Sequence, residues 1–194
     1  MPGYVISNFF IYAIINAITP GPGNILALNT VSNYGWKKGK PLFFGIFVGY
    51  FVVQILCAVF VFGVSAFLPN VLSVMKYIGA AYILWLAIHI VISKPAIDSS
   101  EKSASFLKGF LLQFVNVKIY LFGITALTGY ITDYSTSLMT LLFFELIIAT
   151  IGTIATLTWI GLGVLLRKAY QKYYRPINIV LALTLLKCVY SMLK

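Results

Sequence analysis

Charged residues are scarce in this chain, and acidic ones are the rarest. Only 9% of its 194 residues are charged, with 4 Asp and Glu against 14 Lys and Arg. Soluble domains carry about a quarter. With two separate cysteines and one histidine, a metal site or a dithiol carrier has too few ligands. We therefore expect no metal, no cofactor and no enzyme activity.

Long apolar runs make up most of the remaining sequence, which is 61% hydrophobic. A helix needs about 20 apolar residues to cross the hydrocarbon core of a bilayer. The first run lacks the basic start of a signal peptide. The pattern predicts an all-α polytopic membrane protein with a single transport domain, residues 1–194. Six runs qualify as transmembrane helices: Tyr4–Val31, Pro41–Leu68, Val71–Ile92, Phe106–Thr132, Leu138–Leu166 and Tyr173–Leu193.

Most basic residues lie in three of the five connections between these runs. By the positive-inside rule those connections are cytoplasmic, which leaves both termini extracytoplasmic in a bacterial-type inner (plasma) membrane. This placement favours topology and contact with anionic lipid over nucleic-acid binding. The residues concerned are Lys37, Lys38, Lys40, Lys94, Lys102, Lys108, Arg167, Lys168, Lys172 and Arg175.

The chain divides into two halves, residues 1–92 and 106–194, joined by a polar linker at 93–105. Because each half has three runs, the fourth span runs opposite to the first, as in inverted-topology repeats of secondary transporters. The first run is interrupted at Thr19–Asn24 and the fourth at Gln113–Lys118. The sequence thus predicts a 3+3 inverted repeat in which helices one and four are broken.

The first interruption predicts a binding site at mid-membrane. Two prolines and two glycines cannot continue a helix, and freed backbone groups need partners away from lipid. If a helix restarts near Asn24, its N–H groups favour a carboxylate, while carbonyls before Thr19 suit an ammonium group. The alternative is a kink that only shapes packing. The candidate substrate-binding residues are Thr19, Pro20, Gly21, Pro22, Gly23, Asn24, Gln113, Asn116 and Lys118.

Two ionisable residues within the spans are candidates for proton coupling. Lys118 lies at the centre of its run, where a lysine normally faces protein or water. Glu145 is the only carboxylate well inside a run, although a structural ion pair or exposure at the membrane rim are alternatives. Asn16, Asn178 and Lys187 are weaker candidates.

Aromatic and small residues fit the same membrane interpretation. The pairs Gly45/Gly49 and Gly152/Thr156 permit close helix packing, within one subunit or in a homo-oligomer. Aromatic side chains at span ends are expected to anchor the protein at the membrane interfaces; they are Tyr4, Tyr34, Trp36, Tyr130, Tyr134, Tyr170, Tyr173 and Tyr174.

The interrupted segments also carry a family resemblance. Thr19–Asn24 resembles the TPGP-N motif of the LysE/RhtB family of amino-acid exporters, and Asn116-Val117-Lys118 resembles its N-P-K element in the form typical of the cysteine/O-acetylserine exporter branch. Gly23 departs from the motif, which usually has Asn there, so Asn24 is the better candidate for a side-chain hydrogen bond. The resemblance spans essentially the whole chain and extends through 79–87, 112–119, 151–153 and 178–183.

The resemblance implies a six-span exporter of small neutral amino acids that is driven by proton exchange. Together with the broken helices, it predicts secondary active export by alternating access, with an amino acid and the lipid bilayer as partners. An exporter of another amino acid or a cation in the same fold is an alternative. An intramembrane enzyme or redox carrier is the alternative from a different class.

Overall fold

The protein is all-helical throughout the part that the structure, a computed structural model, describes. The structure describes residues 1–63, 68–93 and 104–193, so most of the predicted linker 93–105 lies outside the described residues. The predicted all-α class is confirmed. The helices are α1 (Gly3–Ile18), α2 (Pro22–Gly63), α3 (Leu68–Ile92), α4 (Phe106–Val115), α5 (Val117–Tyr130), α6 (Leu138–Leu165) and α7 (Arg167–Leu193).

The first apolar run is broken where the prolines predict. A residue before proline avoids the helical region, and Thr19 accordingly has φ −55° and ψ 135°, so α1 ends at Ile18. The next helix begins at Pro22, two residues earlier than the expected restart at Asn24. Proline is favoured as a first helical residue because that position needs no N–H donor.

The fourth run is broken as well, and here no proline is involved. Asn116 has φ −86° and ψ 83°, which separates α4 from α5, and the two helix axes are bent by 55°. Both predicted interruptions are therefore present in the fold.

Two further bends divide the long helices. Gly35 has φ 75° within α2, a left-handed conformation that glycine adopts readily. The basic segment after it, expected to be a loop, is helical instead. In α7, Tyr173 departs from helical geometry three residues before Pro176, whose ring crowds the preceding turn and removes a donor.

Helix α2 is the centre of the bundle and packs mainly against α4 and α6. A Cβ at Gly49 would lie 2.8 Å from the carbonyl oxygen of Phe110, and Gly45 and Gly109 are equally confined by backbone of the facing helix. The predicted small-residue packing therefore occurs within one chain. One apolar core joins α2 to α3 and α7, and a second joins it to α1, α5 and α6.

The outer faces of the bundle are apolar. Among the described residues, α2 and α6 are each long and apolar enough to cross a membrane, and the bent pair α4–α5 is a third such element. The segments Gly3–Ile18 and Tyr77–Ile92 are shorter apolar helices. Large apolar side chains are exposed along α1, α6 and α7, while several amides are buried. A surface this apolar suits lipid better than water.

Candidate functional site

The two helix breaks lie against each other. The Lys118 ammonium donates a hydrogen bond to the carbonyl of Thr19 at 2.7 Å. A Cβ at Gly21 would lie 3.0 Å from Lys118 Cδ, and one at Gly23 would lie 3.4 Å from Gln113 Oε1. The absence of side chains at these glycines lets the second break approach the first.

The carbonyls at the end of α1 are occupied, contrary to the expectation that they are free for a substrate ammonium. Asn24 Nδ2 donates to Ala17 O at 3.0 Å, and Trp159 Nε1 donates to Ile18 O at 3.0 Å. The Thr19 carbonyl accepts from Lys118. Unpaired carbonyls are costly away from water, so side chains from three other helices satisfy them in this conformation.

Asn24 links the first break to α6. Its Oδ1 accepts a hydrogen bond from Thr156 Oγ1 at 2.8 Å, while its Nδ2 is engaged with α1. The sequence placed Thr156 only in a helix-packing pair. A buried side chain that uses both ends of its amide fixes the positions of its neighbours, so Asn24 holds the break in place.

Two cavities lie beside these breaks. The small cavity has a volume of about 30 Å³, enough to enclose a water molecule. It is lined by Asn16, Ala17, Gly21, Gly23, Asn24, Ile46, Tyr50, Gln113, Asn116, Lys118, Ile119, Phe122, Gly152 and Thr156.

The large cavity has a volume of about 390 Å³, within the range of roughly 300–1,000 Å³ that is usual for small-molecule sites. Its polar lining comes from both breaks, from α1 and from the C-terminal halves of α5 and α7. It is lined by Tyr12, Asn16, Thr19, Pro20, Pro22, Ile83, Asn116, Lys118, Leu121, Phe122, Thr125, Thr184, Lys187 and Cys188.

Asn16, Asn116 and Lys118 line both cavities. The Oδ1 atom of Asn116 is buried without a hydrogen-bond partner among the described residues. Such an atom is costly to leave unpaired, and beside a cavity it can accept a hydrogen bond from a bound molecule. The nine residues expected at the binding site all line one cavity or the other.

Glu145 lies away from both cavities. It is 0% exposed, so the alternative of exposure at the rim is wrong. Neither carboxyl oxygen has a hydrogen-bond partner among the described residues. Its neighbour across α5 is Gly123, where a Cβ would lie 2.8 Å from Glu145 Oε1 and 2.6 Å from Gln54 Oε1.

A buried network around Tyr170 was missed by the sequence analysis, which expected this side chain at the membrane interface. The Tyr170 hydroxyl donates to Asn178 Oδ1 at 2.7 Å and accepts from Asn29 and Asn33, each at 3.1 Å. Asn178 Nδ2 in turn donates to Ser93 O at 3.1 Å. The available signal was the Asn29/Asn33 pair, one turn apart in an apolar run, since polar groups in spans seek partners.

Comparison with known proteins identifies the type of protein to which this arrangement belongs. The family described as LysE type translocator matches residues 14–189. The chain belongs to the LysE family. Its members are translocators, so this chain is a transporter and not an enzyme.

Several curated relatives match over nearly their full length. A cysteine/O-acetylserine efflux protein of Salmonella choleraesuis (strain SC-B67) is 38% identical over 97% of both chains. Proteins with the same name in Salmonella paratyphi A (strain ATCC 9150 / SARB42) and Escherichia coli O139:H28 (strain E24377A / ETEC) are 39% and 37% identical, over 97% and 95% of both chains. No solved structure gives a significant match.

Proposed function

We propose that this LysE-family chain is a secondary active exporter of small neutral amino acids, of the cysteine and O-acetylserine class. The relatives are named for efflux of those two compounds. The observation that carries the proposal is the contact between the two broken helices, where an ammonium group already occupies the Thr19 carbonyl beside a cavity of suitable size.

The Lys118 ammonium occupies the carbonyl that the ammonium group of the substrate would use. An incoming amino acid offers its own ammonium to the Thr19 carbonyl and its carboxylate to Lys118. Lys118 then exchanges a neutral acceptor for a charged one, and charge-assisted hydrogen bonds are the stronger kind. The unpaired Asn116 Oδ1 accepts a further hydrogen bond from the substrate. The exchange leaves no buried ion without a partner.

The proposed topology has six spans arranged as a 3+3 inverted repeat within one domain, residues 1–194, of an inner membrane. The two broken segments, at Thr19–Asn24 and at Asn116, meet as such repeats require. The basic connections face the cytoplasm and both termini lie outside. An alkaline phosphatase domain fused after Lys194 tests this, because the enzyme is active only outside the cytoplasm; an inactive, stable fusion contradicts the topology.

Transport proceeds by alternating access about the two breaks. In the proposed topology, Thr125, Thr184 and Lys187 lie in the outer halves of their helices, so the large cavity belongs to the outward side. In the same topology, the network around Tyr170 lies on the cytoplasmic side, where it joins the part of α2 before the Gly35 bend to the start of α7 and, through Ser93, to the end of α3. The described conformation is therefore sealed toward the cytoplasm, and this network must separate for substrate to enter.

A proton moving inward supplies the driving force, with Lys118 and Glu145 as candidate carriers. The experiment is efflux of labelled O-acetylserine or cysteine from proteoliposomes with an imposed pH gradient. We expect gradient-dependent efflux that unlabelled cysteine competes away. Folded protein that moves neither compound contradicts the proposed substrate class, and labelled homoserine and lysine tested in parallel identify another one.

A further inference from the structure

We infer that Glu145 and Gln54 form a proton-binding site separate from the substrate cavities, and that Tyr50 connects the two. This inference rests on the proposed function, because it assigns the proton that drives export. Of the two candidate proton carriers, Lys118 and Glu145, it selects Glu145. It also adds Gln54 and Tyr50, which the sequence did not single out.

The pairing of Glu145 with Gln54 is the first observation. Both side chains are 0% exposed. Neither carboxyl oxygen of Glu145 has a hydrogen-bond partner among the described residues, and the Gln54 amide lies near the Tyr50 hydroxyl. Gln54 Oε1 and Glu145 Oε1 face the same point, the missing Cβ of Gly123. Burying a carboxyl group and an amide is costly. An apolar pair at these positions would be more stable, so stability does not account for Glu145 and Gln54.

A proton is the ligand that suits this pair. A protonated Glu145 donates its O–H to Gln54 Oε1, and an ionised Glu145 accepts from Gln54 Nε2 after the amide turns over. The same two side chains can thus serve both protonation states. Glu145 is the residue that gains and loses the proton, and Gln54 is a positioning residue.

The titratable groups around Glu145 offer no competing cation. Tyr50 and Cys57 of α2 lie within electrostatic range of its carboxyl. On α5, Gly123 faces the Glu145 carboxyl, and Tyr120 lies within electrostatic range of Cys57. Because the groups named here are neutral, an ionised Glu145 is not compensated by a charge from the described part of the chain.

Tyr50 provides the connection to the substrate site. It lies one helical turn before Gln54, on the same face of α2, and it lines the small cavity together with Asn24 and Lys118. Its ring also fills the space left by Gly152 of α6, where a Cβ would fall 2.7 Å from the Tyr50 hydroxyl. A change in the protonation of Glu145 can therefore shift Gln54 and, one turn earlier in α2, the Tyr50 side chain that lines the small cavity.

Gln54 and Glu145 also lie on the side of the small cavity from which a proton would arrive. In the proposed topology α2 runs outward after Gly35 and α6 runs inward from Leu138, so both residues lie between the cavity and the outer surface.

The test compares two assays in proteoliposomes. Uphill export of labelled O-acetylserine under a pH gradient requires the proton, whereas counterflow at equal pH requires only substrate exchange. We expect E145Q, which resembles the protonated acid, to lose the gradient-driven component and keep counterflow. We expect Q54L to reduce the gradient-driven component with counterflow retained. Y50F, whose side chain also lines the small cavity, should reduce the gradient-driven component as well. Asp133 is an exposed carboxylate outside the site, so D133N is the matched control and should behave as wild type in both assays.

Two results overturn the inference: E145Q that still exports uphill, and folded E145Q that has also lost counterflow. If wild-type export follows a sodium gradient instead of a pH gradient, and E145Q abolishes that export, the choice of a proton as the ligand is overturned. Wild-type protein inactive in both assays contradicts the proposed function itself.

A second measurement does not depend on transport. The infrared spectrum of the purified protein should contain the C=O band of a buried protonated carboxyl group, which E145Q abolishes and D133N retains. Wild-type protein without that band contradicts the proton site, whatever the substrate is.

Discussion

Lys118 and Thr19 join the two broken helices of this transporter through one hydrogen bond, from the Lys118 ammonium to the Thr19 carbonyl at 2.7 Å. They are far apart in sequence and belong to different halves of the chain. The bond pairs a partly buried ammonium group with a carbonyl that the prolines have freed from helical hydrogen bonding, so each group has a partner in the other break. A substrate with one ammonium and one carboxylate can take the place of this bond without leaving either group unpaired.

We expect K118M to lower transport of labelled substrate by at least about tenfold, because hydrogen bonds to charged groups contribute about 1.5–3 kcal/mol. The measurement is initial counterflow rate per folded protein. Lys187 also lines the large cavity but is not placed at the break, so K187M is the matched control and should retain more of the activity. Equal effects of the two substitutions contradict the role given to Lys118.

The two glycines of the break should differ in their tolerance of alanine. A Cβ at Gly21 would lie 3.0 Å from Lys118 Cδ and 3.3 Å from its Nζ, whereas one at Gly23 would meet Gln113 at an ordinary 3.4 Å or more. We expect G21A to displace Lys118 and weaken substrate binding, and G23A to remain close to wild type. Apparent substrate affinity in counterflow measures this, and an affinity loss at G23A that exceeds the loss at G21A contradicts the packing argument.

The breaks themselves could be predicted because proline and a central lysine in an apolar run are local signals. The hydrogen bonds to the carbonyls at the end of α1 could not be predicted, because their donors, Trp159 and Lys118, lie on helices that are distant in sequence. Tyr170 was misplaced for a related reason. A tyrosine among basic residues at a span end is typical of an interface anchor. The bend at Tyr173, which lies between Tyr170 and its partner Asn178, has no clear signal in the sequence before Pro176.

Asn24 is expected to act through stability as much as through binding. Removing the Thr156 hydroxyl leaves Asn24 Oδ1 without this donor, and a buried acceptor left unpaired costs about 1–3 kcal/mol. We therefore expect T156V to lower the melting temperature of the detergent-solubilised protein. The exposed Thr158 bonds only to carbonyls of its own helix, so T158V should melt close to wild type. A T156V melting temperature equal to that of T158V argues against the Asn24 link.

Tyr170 is the centre of the seal on the cytoplasmic side. Y170F removes one hydroxyl that serves Asn29, Asn33 and Asn178, and several buried amides lose their partner at once. We expect a lower melting temperature, together with a smaller KM for substrate presented from the cytoplasmic side. The KM falls because weakening the sealed state raises the population that is open to the cytoplasm, and apparent affinity follows that population.

Tyr173 supplies the control for this prediction. It is 52% exposed and lies three residues further along α7, so Y173F removes a hydroxyl from the same region without touching the network. If Y170F lowers the melting temperature but leaves KM unchanged, the network stabilises the fold without gating entry. If Y170F and Y173F behave alike in both measurements, the hydrogen bonds of Tyr170 do not seal the cytoplasmic side, because the hydroxyl that bonds to Asn29 and Asn33 of α2 and to Asn178 of α7 would then be dispensable.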